Sequence, residues 1–192
     1  FDFSFAQVPV AIWDGAGEDT IDLSGYSTNQ TLYLTEGQYS STGHMTNNLV
    51  IAYGAEIENA IGGSGVDTIY GNEQNNIILG GGGGDMLYAS MGSDVLDGEG
   101  GSDTAVYANA ITDFAFNLID SVSLAITSLV DSFTDTIRNV EQFIFGGEQY
   151  ALSDIQSAYA AVHPIKLWMQ YNGGSTRYDS NVKGMQAVQA DG

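Results

Sequence analysis

Five consecutive nine-residue rows fill residues 62–106: GGSGVDTIY, GNEQNNIIL, GGGGGDMLY, ASMGSDVLD and GEGGSDTAV. Position six of successive rows reads Asp67, Asn76, Asp85, Asp94 and Asp103, and position eight reads Ile69, Ile78, Leu87, Leu96 and Ala105. A period held this strictly makes each row one structural unit that must stack on its neighbours to bury its apolar residue. The preceding row, Tyr53 to Ile61, keeps the register with Glu58 at position six, and a detached copy, DGAGEDTID, occupies 14–22 with Asp19 at six and Ile21 at eight. A flexible glycine linker has neither a fixed period nor a recurrent apolar position.

Each row joins a tight turn to a very short strand. Glycines at the head of the row permit positive φ and let carbonyl groups crowd together. In the strand, position eight points inward and positions seven and nine point the other way. Two rows complete a coil, so turns stack along each edge at intervals of about eighteen residues. One edge takes turns 62–67, 80–85 and 98–103; the other takes 53–58, 71–76 and 89–94. Stacked position-six carboxylates are expected to face one another across a gap. That arrangement repels itself when empty and forms an oxygen cage for Ca²⁺, which prefers six to eight oxygen ligands at roughly 2.3–2.6 Å. The first edge, with aspartate in every turn, is expected to hold two ions well. The second carries Asn76 in GNEQNN and begins its last turn with Ala89-Ser90, and is expected to bind more weakly.

The overall charge points the same way. Four basic residues stand against 24 acidic ones, a net charge of −20. Such a chain repels nucleic acid and anionic membranes, and repels itself when compact unless cations offset the charge. There are no cysteines, which excludes a disulfide framework and thiolate metal sites. No apolar run reaches the roughly 18 residues that would span a membrane as a helix. Phe1 to Val10 lack the basic head and apolar stretch of a signal peptide, so an export signal is expected elsewhere. Residues 1–164 contain a single base, Arg138, whereas Lys166, Arg177 and Lys183 fall after Pro164. These shifts suggest four segments: an N-terminal β part (1–52), the calcium β-roll (53–110), capping strands and a helix (111–164), and a tail (165–192).

The nonapeptide resembles the calcium-binding repeat of RTX proteins. The stretch IWDGAGEDTIDLSGYSTNQTLYLTEGQYSSTG (12–43), followed by IENAIGGSGVDTIYGN (57–72), resembles the C-terminal domain of serralysin-type metalloproteases, secreted zinc endopeptidases exported by type I systems. The resemblance covers about half the chain, residues 12–106. It implies a noncatalytic domain that folds on Ca²⁺ outside the cell and stabilises its parent enzyme. In that family an earlier turn gives oxygens from positions two, four and six, and the turn one coil later gives positions one, three and six. Carried onto this chain, one cage would use Gly63, Gly65 and Asp67 with Gly80, Gly82 and Asp85. The next would use Gly81, Gly83 and Asp85 with Gly98, Gly100 and Asp103. The opposite edge would use Asn72, Gln74 and Asn76 with Ala89, Met91 and Asp94. The resemblance also implies an ion held by Gly17, Asp19, Glu56 and Glu58, and another at Asp14, Ala16 and Asp19 completed by an upstream linker. The implied partners are that linker or the protein's own catalytic domain, and the type I export apparatus.

Two features depart from the family. The zinc motif HExxHxxGxxH is missing, since the only histidines are His44 and His163 in unrelated contexts. Zinc catalysis needs several spaced ligands and a general base. Zn²⁺ is therefore expected only in a catalytic domain outside this sequence. The end, AVQADG, differs from the short apolar terminus usual in the family.

Beyond the repeats, Phe114, Phe116 and Leu118 alternate, as do Val122, Leu124 and Ile126, which predicts a hairpin turning at Asp120-Ser121. Phe143 and Phe145 are expected to close the end of the roll, where open strand edges would otherwise invite aggregation. Ser153-Asp154-Ile155-Gln156 reads as a capping box opening a helix that stops before Pro164. A strand and turn are expected at 166–174, with Trp168, Tyr171 and Tyr178 as core or binding aromatics. The predicted fold is thus all-β: a parallel β-roll capped by further strands and a short C-terminal helix. Two other functions fit the repeats alone: a module of another secreted enzyme, such as a lipase or polysaccharide-modifying enzyme, and a surface adhesin. The 12–43 block weighs against the first. The irregular position-seven series, Thr68, Ile77, Met86, Val95 and Thr104, weighs against the second.

Overall fold

A computed structural model describes residues 10–162, 166–171, 174–179 and 187–189, with side chains as far as residue 159. The chain divides into two compact units, Phe1–Leu152 and Ser153–Gly192. The first unit opens with β1 (Val10–Ile12), β2 (Thr20–Asp22), β3 (Thr31–Tyr33), β4 (Tyr39–Ser40) and β5 (Leu49–Ile51). The repeat rows supply β6 (Asn59–Ile61), β7 (Thr68–Tyr70), β8 (Ile77–Leu79), β9 (Gly82–Gly83), β10 (Met86–Tyr88), β11 (Val95–Asp97), β12 (Gly100–Gly101) and β13 (Thr104–Tyr107). After a 3-10 turn at Ile111–Asp113 come β14 (Phe114–Leu118), β15 (Ser123–Ser128), β16 (Thr134–Arg138), β17 (Gln142–Phe145) and β18 (Glu148–Ala151). The second unit holds most of α1 (Leu152–Val162), then β19 (Lys166–Tyr171), β20 (Gly174–Asp179) and β21 (Ala187–Gln189) in one antiparallel sheet.

Successive rows alternate between two sheets. The seven-stranded sheet runs β14-β15-β16-β11-β8-β6-β2 and the six-stranded sheet β18-β17-β13-β10-β7-β3. Partners along a sheet fall a full coil apart: Ile69 pairs with Leu87 and Leu87 with Ala105. Position eight therefore builds one buried ladder per sheet. Ile21, Ala60, Ile78, Leu96 and Ile137 form one, and Leu32, Ile69, Leu87, Ala105 and Phe143 the other. These ladders are the core, as the inward position eight demands. On the outer face Tyr33, Tyr70 and Tyr88 stack, with ring centroids 4.4 and 4.1 Å apart.

The roll is closed at its C-terminal end by strands β16 and β17, whose preceding turns contain no glycine. Strand β16 stacks parallel on β11, and β15 and β14 then reverse as the expected hairpin. Strand β17 stacks parallel on β13 with Phe143 and Phe145 buried, and β18 covers its far edge. Helix α1 starts one residue earlier than the capping box suggests, which puts Ser153 inside the first turn. The side chains of Trp168, Tyr171 and Tyr178, and residue His163, lie outside the described residues.

Candidate metal centres

The turns set the chemistry. At Gly81 φ is +97° and at Gly83 +138°, and a methyl group at either would overlap the carbonyl oxygen of Gly63 or Gly65 in the turn below. Only glycine lets three turns stack this closely. The N–H of Gly82 donates to Gly63 O at 2.8 Å, that of Gly100 to Gly81 O at 2.9 Å, and that of Ser102 to Gly83 O at 3.3 Å. Gly63, Gly81 and Gly83, three of the predicted carbonyl donors of this edge, thus each spend one lone pair on the next turn and retain a second.

The carboxylates do not simply face one another across a gap. Each one reaches back to the backbone of the preceding coil. The N–H of Gln30 donates to Asp67 Oδ1 at 2.7 Å, that of Asp67 to Asp85 Oδ1 at 2.8 Å, and that of Asp85 to Asp103 Oδ1 at 2.8 Å. Glu141 Oε2 ends the ladder by accepting from Asp103 N–H at 2.9 Å. Backbone donors therefore screen part of the repulsion that side-chain spacing alone implies. What remains is the second oxygen of each carboxylate. In Asp67 it accepts from Gly63 N–H at 2.7 Å. In Asp85 and Asp103 it is buried and meets no donor.

The opposite edge is built alike, with substitutions. Asn76 N–H donates to Asp94 Oδ1 at 2.8 Å and Asp94 N–H to Asp135 Oδ1 at 2.9 Å, while Asp94 Oδ2 is buried without a donor. Asn76 turns its amide toward the previous coil, donating to Glu58 O at 2.8 Å and to Asn72 Oδ1 at 2.9 Å. The carbonyl of Asn72 accepts from the Ser90 hydroxyl, and Gln74 N–H donates to Asn72 Oδ1 at 2.9 Å. Asn72 and Gln74 border a cavity of about 480 Å³ with Glu56. Ala89 and Met91 border another of about 330 Å³ with Tyr107 and Asp131.

At the N-terminal end, Asp14, Ala16, Gly17, Glu56 and Glu58 line one cavity of about 210 Å³. Asp19 joins them through its N–H, which donates to Glu58 Oε2 at 2.8 Å, and its Oδ2 has no donor. The two ligand sets expected here therefore share one space.

The electrostatics record the lack of counter-charge. Burial, then the charges of Asp67 and Asp103, push the Asp85 carboxyl up to about 6. Burial, then Asp135, pushes Asp94 up to about 7, and burial raises Asp135 to about 6. Asp67 and Asp103 are raised for the same first reason, and Asp19 by burial and then by Asp14 and Glu58. Between residues 10 and 162 the sequence offers one base, Arg138, to all of them. No group of three or more His, Cys, Asp or Glu side chains able to hold a metal occurs among the described residues. The turns instead bring one carboxylate per coil beside carbonyl oxygens, a donor set of oxygen alone. That set suits a hard cation such as Ca²⁺ and not a thiolate- or imidazole-loving metal.

Sequence reading passed over two acids that extend these ladders, Asp135 and Glu141. Residues 130–138, VDSFTDTIR, place Asp135 at position six and Ile137 at position eight of a tenth-rate copy of the repeat without a single glycine. Gln30, a neutral amide, ends the first ladder at its other side through its N–H, in GYSTNQTLY (25–33) with Leu32 at position eight.

Comparison with known proteins agrees with this construction. The family model for the peptidase M10 serralysin C terminal matches residues 4–191. The serralysin of Photorhabdus luminescens is 42% identical over 177 residues, covering 87% of this chain and 35% of its own. Serralysin G of Dickeya chrysanthemi is 52% identical over 68 residues, 35% of this chain and 14% of its own. The metallopeptidase AprA of Pseudomonas marginalis is 47% identical over 68 residues, again 35% of this chain and 14% of its own. The matched region is thus about a third or less of each of these relatives' length.

Proposed function

The chain belongs to the peptidase M10 serralysin C-terminal family, and we propose that it is the noncatalytic, calcium-folded module of a secreted zinc metalloprotease. In this reading it crosses a type I exporter unfolded, where calcium is scarce, and folds outside the cell. Residues 53–110 are the calcium roll, 1–52 and 111–164 complete its two ends, and 165–192 are a tail. Zinc chemistry belongs to a catalytic domain upstream of this sequence.

The observation that carries the reading is the row of buried carboxylate oxygens without donors, at Asp85 and Asp103 on one edge and Asp94 on the other. A buried, unpaired charge is costly, and a cation that satisfies several at once converts its binding energy into folding energy. Gly63, Gly65, Gly80 and Gly82 would hold one ion with Asp67 and Asp85. Gly81, Gly83, Gly98 and Gly100 would hold a second with Asp85 and Asp103. Asn72, Gln74, Ala89 and Met91 would complete a weaker site with Asn76 and Asp94. Bound Ca²⁺ supplies charge neutralisation and crosslinking of turns; the chain supplies the stack of coils that positions its own oxygens.

Circular dichroism with calcium titration tests this. Little β structure in chelator, followed by a cooperative gain at micromolar to millimolar calcium, is expected from sites of this type. A stable β spectrum in chelator that calcium leaves unchanged would refute it.

A further inference from the structure

The end strands of the two large sheets are not guarded alike. Strand β2 ends on Asp22 and β18 begins with Glu148, charges of the kind that keep an edge from pairing with another chain. Strand β3 is bridged by Ser41, which exchanges backbone hydrogen bonds of 2.8 and 2.9 Å with Thr31. Strand β14, FAFNL, has none of these devices. It carries no charge and no proline, and it pairs with β15 from Phe114 to Leu118 without a bulge.

The register fixes which backbone groups of β14 point outward. Ile119 N–H donates to Ser123 O at 3.0 Å and Leu129 N–H to Asp113 O at 2.8 Å, so the odd-numbered residues bond toward β15. Bonding alternates along an antiparallel ladder, which aims the N–H and C=O of Phe114, Phe116 and Leu118 away from the sheet. The Phe114 N–H is taken by Ile111 O in the preceding turn. The Phe114 C=O and both groups of Phe116 and Leu118 meet no described strand. On the core side Phe116 packs edge-on against Phe145, with centroids 5.6 Å apart, yet Phe116 and Leu118 stay only half-buried. At the two ends of the strand, Ile119 is 55% exposed and Leu129 64%.

This strand is complementary to itself. Two copies related by a two-fold axis at Phe116 pair antiparallel along the whole of β14. Phe116 N–H of each copy then donates to Phe116 O of the other, and Leu118 N–H to Phe114 O. On the core side Phe116 meets Phe116 and Leu118 meets Phe114, so the apolar row runs on from one copy into the next. Asp113 of each copy faces Ile119 of the other, and no acid opposes an acid. Ile119 also comes within one strand of Leu129 of the other copy, which covers both exposed side chains.

We propose that β14 is a dimerisation edge, which joins the seven-stranded sheets of two copies of this chain across a two-fold axis. Main-chain bonds supply the affinity and the Phe–Leu row sets the register. The contact is isologous and closes on itself, leaving no edge there for a third chain. Each copy has a net charge of −20, so long-range repulsion opposes the contact and salt relieves it.

Sedimentation velocity of the full-length protein in saturating calcium, over a wide concentration range, tests this. A monomer–dimer equilibrium that tightens with added salt is expected, with slower amide exchange at Phe116 and Leu118 as the dimer forms. Ile119→Asp sets acid opposite acid at both ends, and should weaken the dimer by at least about tenfold. Leu118→Pro removes an outward N–H that an edge strand can spare, and should do the same. Ile77→Asp, at an exposed position of β8 in the same sheet, should leave the dimer unchanged. A monomer at every concentration overturns the proposal; protection of the Phe116 and Leu118 amides in that monomer would assign the edge to another part of the same polypeptide. A dimer that Ile119→Asp leaves intact, or that Ile77→Asp breaks, uses another surface and overturns it as well.

Discussion

Asp85 accepts the backbone N–H of Asp67 with one carboxylate oxygen, at 2.8 Å, and buries the other without a donor. One side chain thus ties a coil to its predecessor and offers a free oxygen to a cation. Asp85 also belongs to both candidate cages of its edge. Asp85→Asn keeps an oxygen for the Asp67 N–H but removes the charge from both cages. The calcium midpoint of folding should rise by at least about tenfold, since charge count sets the affinity of such sites. The same substitution at Asp97, which is in neither cage, should shift it far less. A calcium titration followed by circular dichroism compares the two.

Acid should replace calcium in part. Asp85, Asp94 and Asp135 carry folded values of about 6, 7 and 6 against an ordinary 3.8. A raised carboxyl binds its proton more tightly when folded, so this contribution is complete below about pH 4 and is lost as pH climbs through 6 to 7. In chelator the β signal by circular dichroism should therefore be largest near pH 4 and fall toward pH 8. With calcium the trend should oppose this, because the ligands must be deprotonated. A β signal in chelator that rises over that interval would contradict the assignment.

Neighbouring glycines should differ sharply. Gly81→Ala forces a side chain into positive φ and against the Gly63 carbonyl, and should cost about 2–4 kcal/mol. At Gly100 the nearest atom to an added methyl is Gly81 O at 3.7 Å, an ordinary contact. Gly100→Ala should change stability by less than about 1 kcal/mol. Thermal unfolding in saturating calcium separates them.

The closing rung depends on one hydroxyl. Tyr107 donates to Asp135 Oδ2 at 2.9 Å in a fully buried pair. Tyr107→Phe leaves that oxygen without its donor and should destabilise the roll by about 1–3 kcal/mol. Adding Asp135→Asn should recover part of the loss, and a double-mutant cycle by chemical denaturation measures the coupling.

The middle of the roll is legible in the sequence because its constraints are strict. Every turn from 62 to 103 has neighbours above and below, so glycine, aspartate and an inward aliphatic recur at fixed offsets. The end turns escape notice for the same reason. The turn carrying Tyr26 and Thr28 has a repeat turn on one side only, where Gly63 and Gly65 give it room. It can therefore afford side chains of its own. The turn before Asp135 likewise does without glycine, placing Ser132 at φ +61°. The use of backbone N–H groups to hold the carboxylates was not legible at all. It depends on which carboxylate oxygen reaches the neighbouring coil, and residue spacing carries no information about that.

The alternation of rows between two sheets sets the size of any viable insertion or deletion. Removing one nine-residue row would send every later strand to the opposite sheet, and would present β16 and β17 to the wrong ladders. Removing residues 80–97, a whole coil, would bring Asp103 directly onto Asp67 with both sheets intact. Such a protein can lengthen or shorten only by paired rows, as a screw advances by full turns.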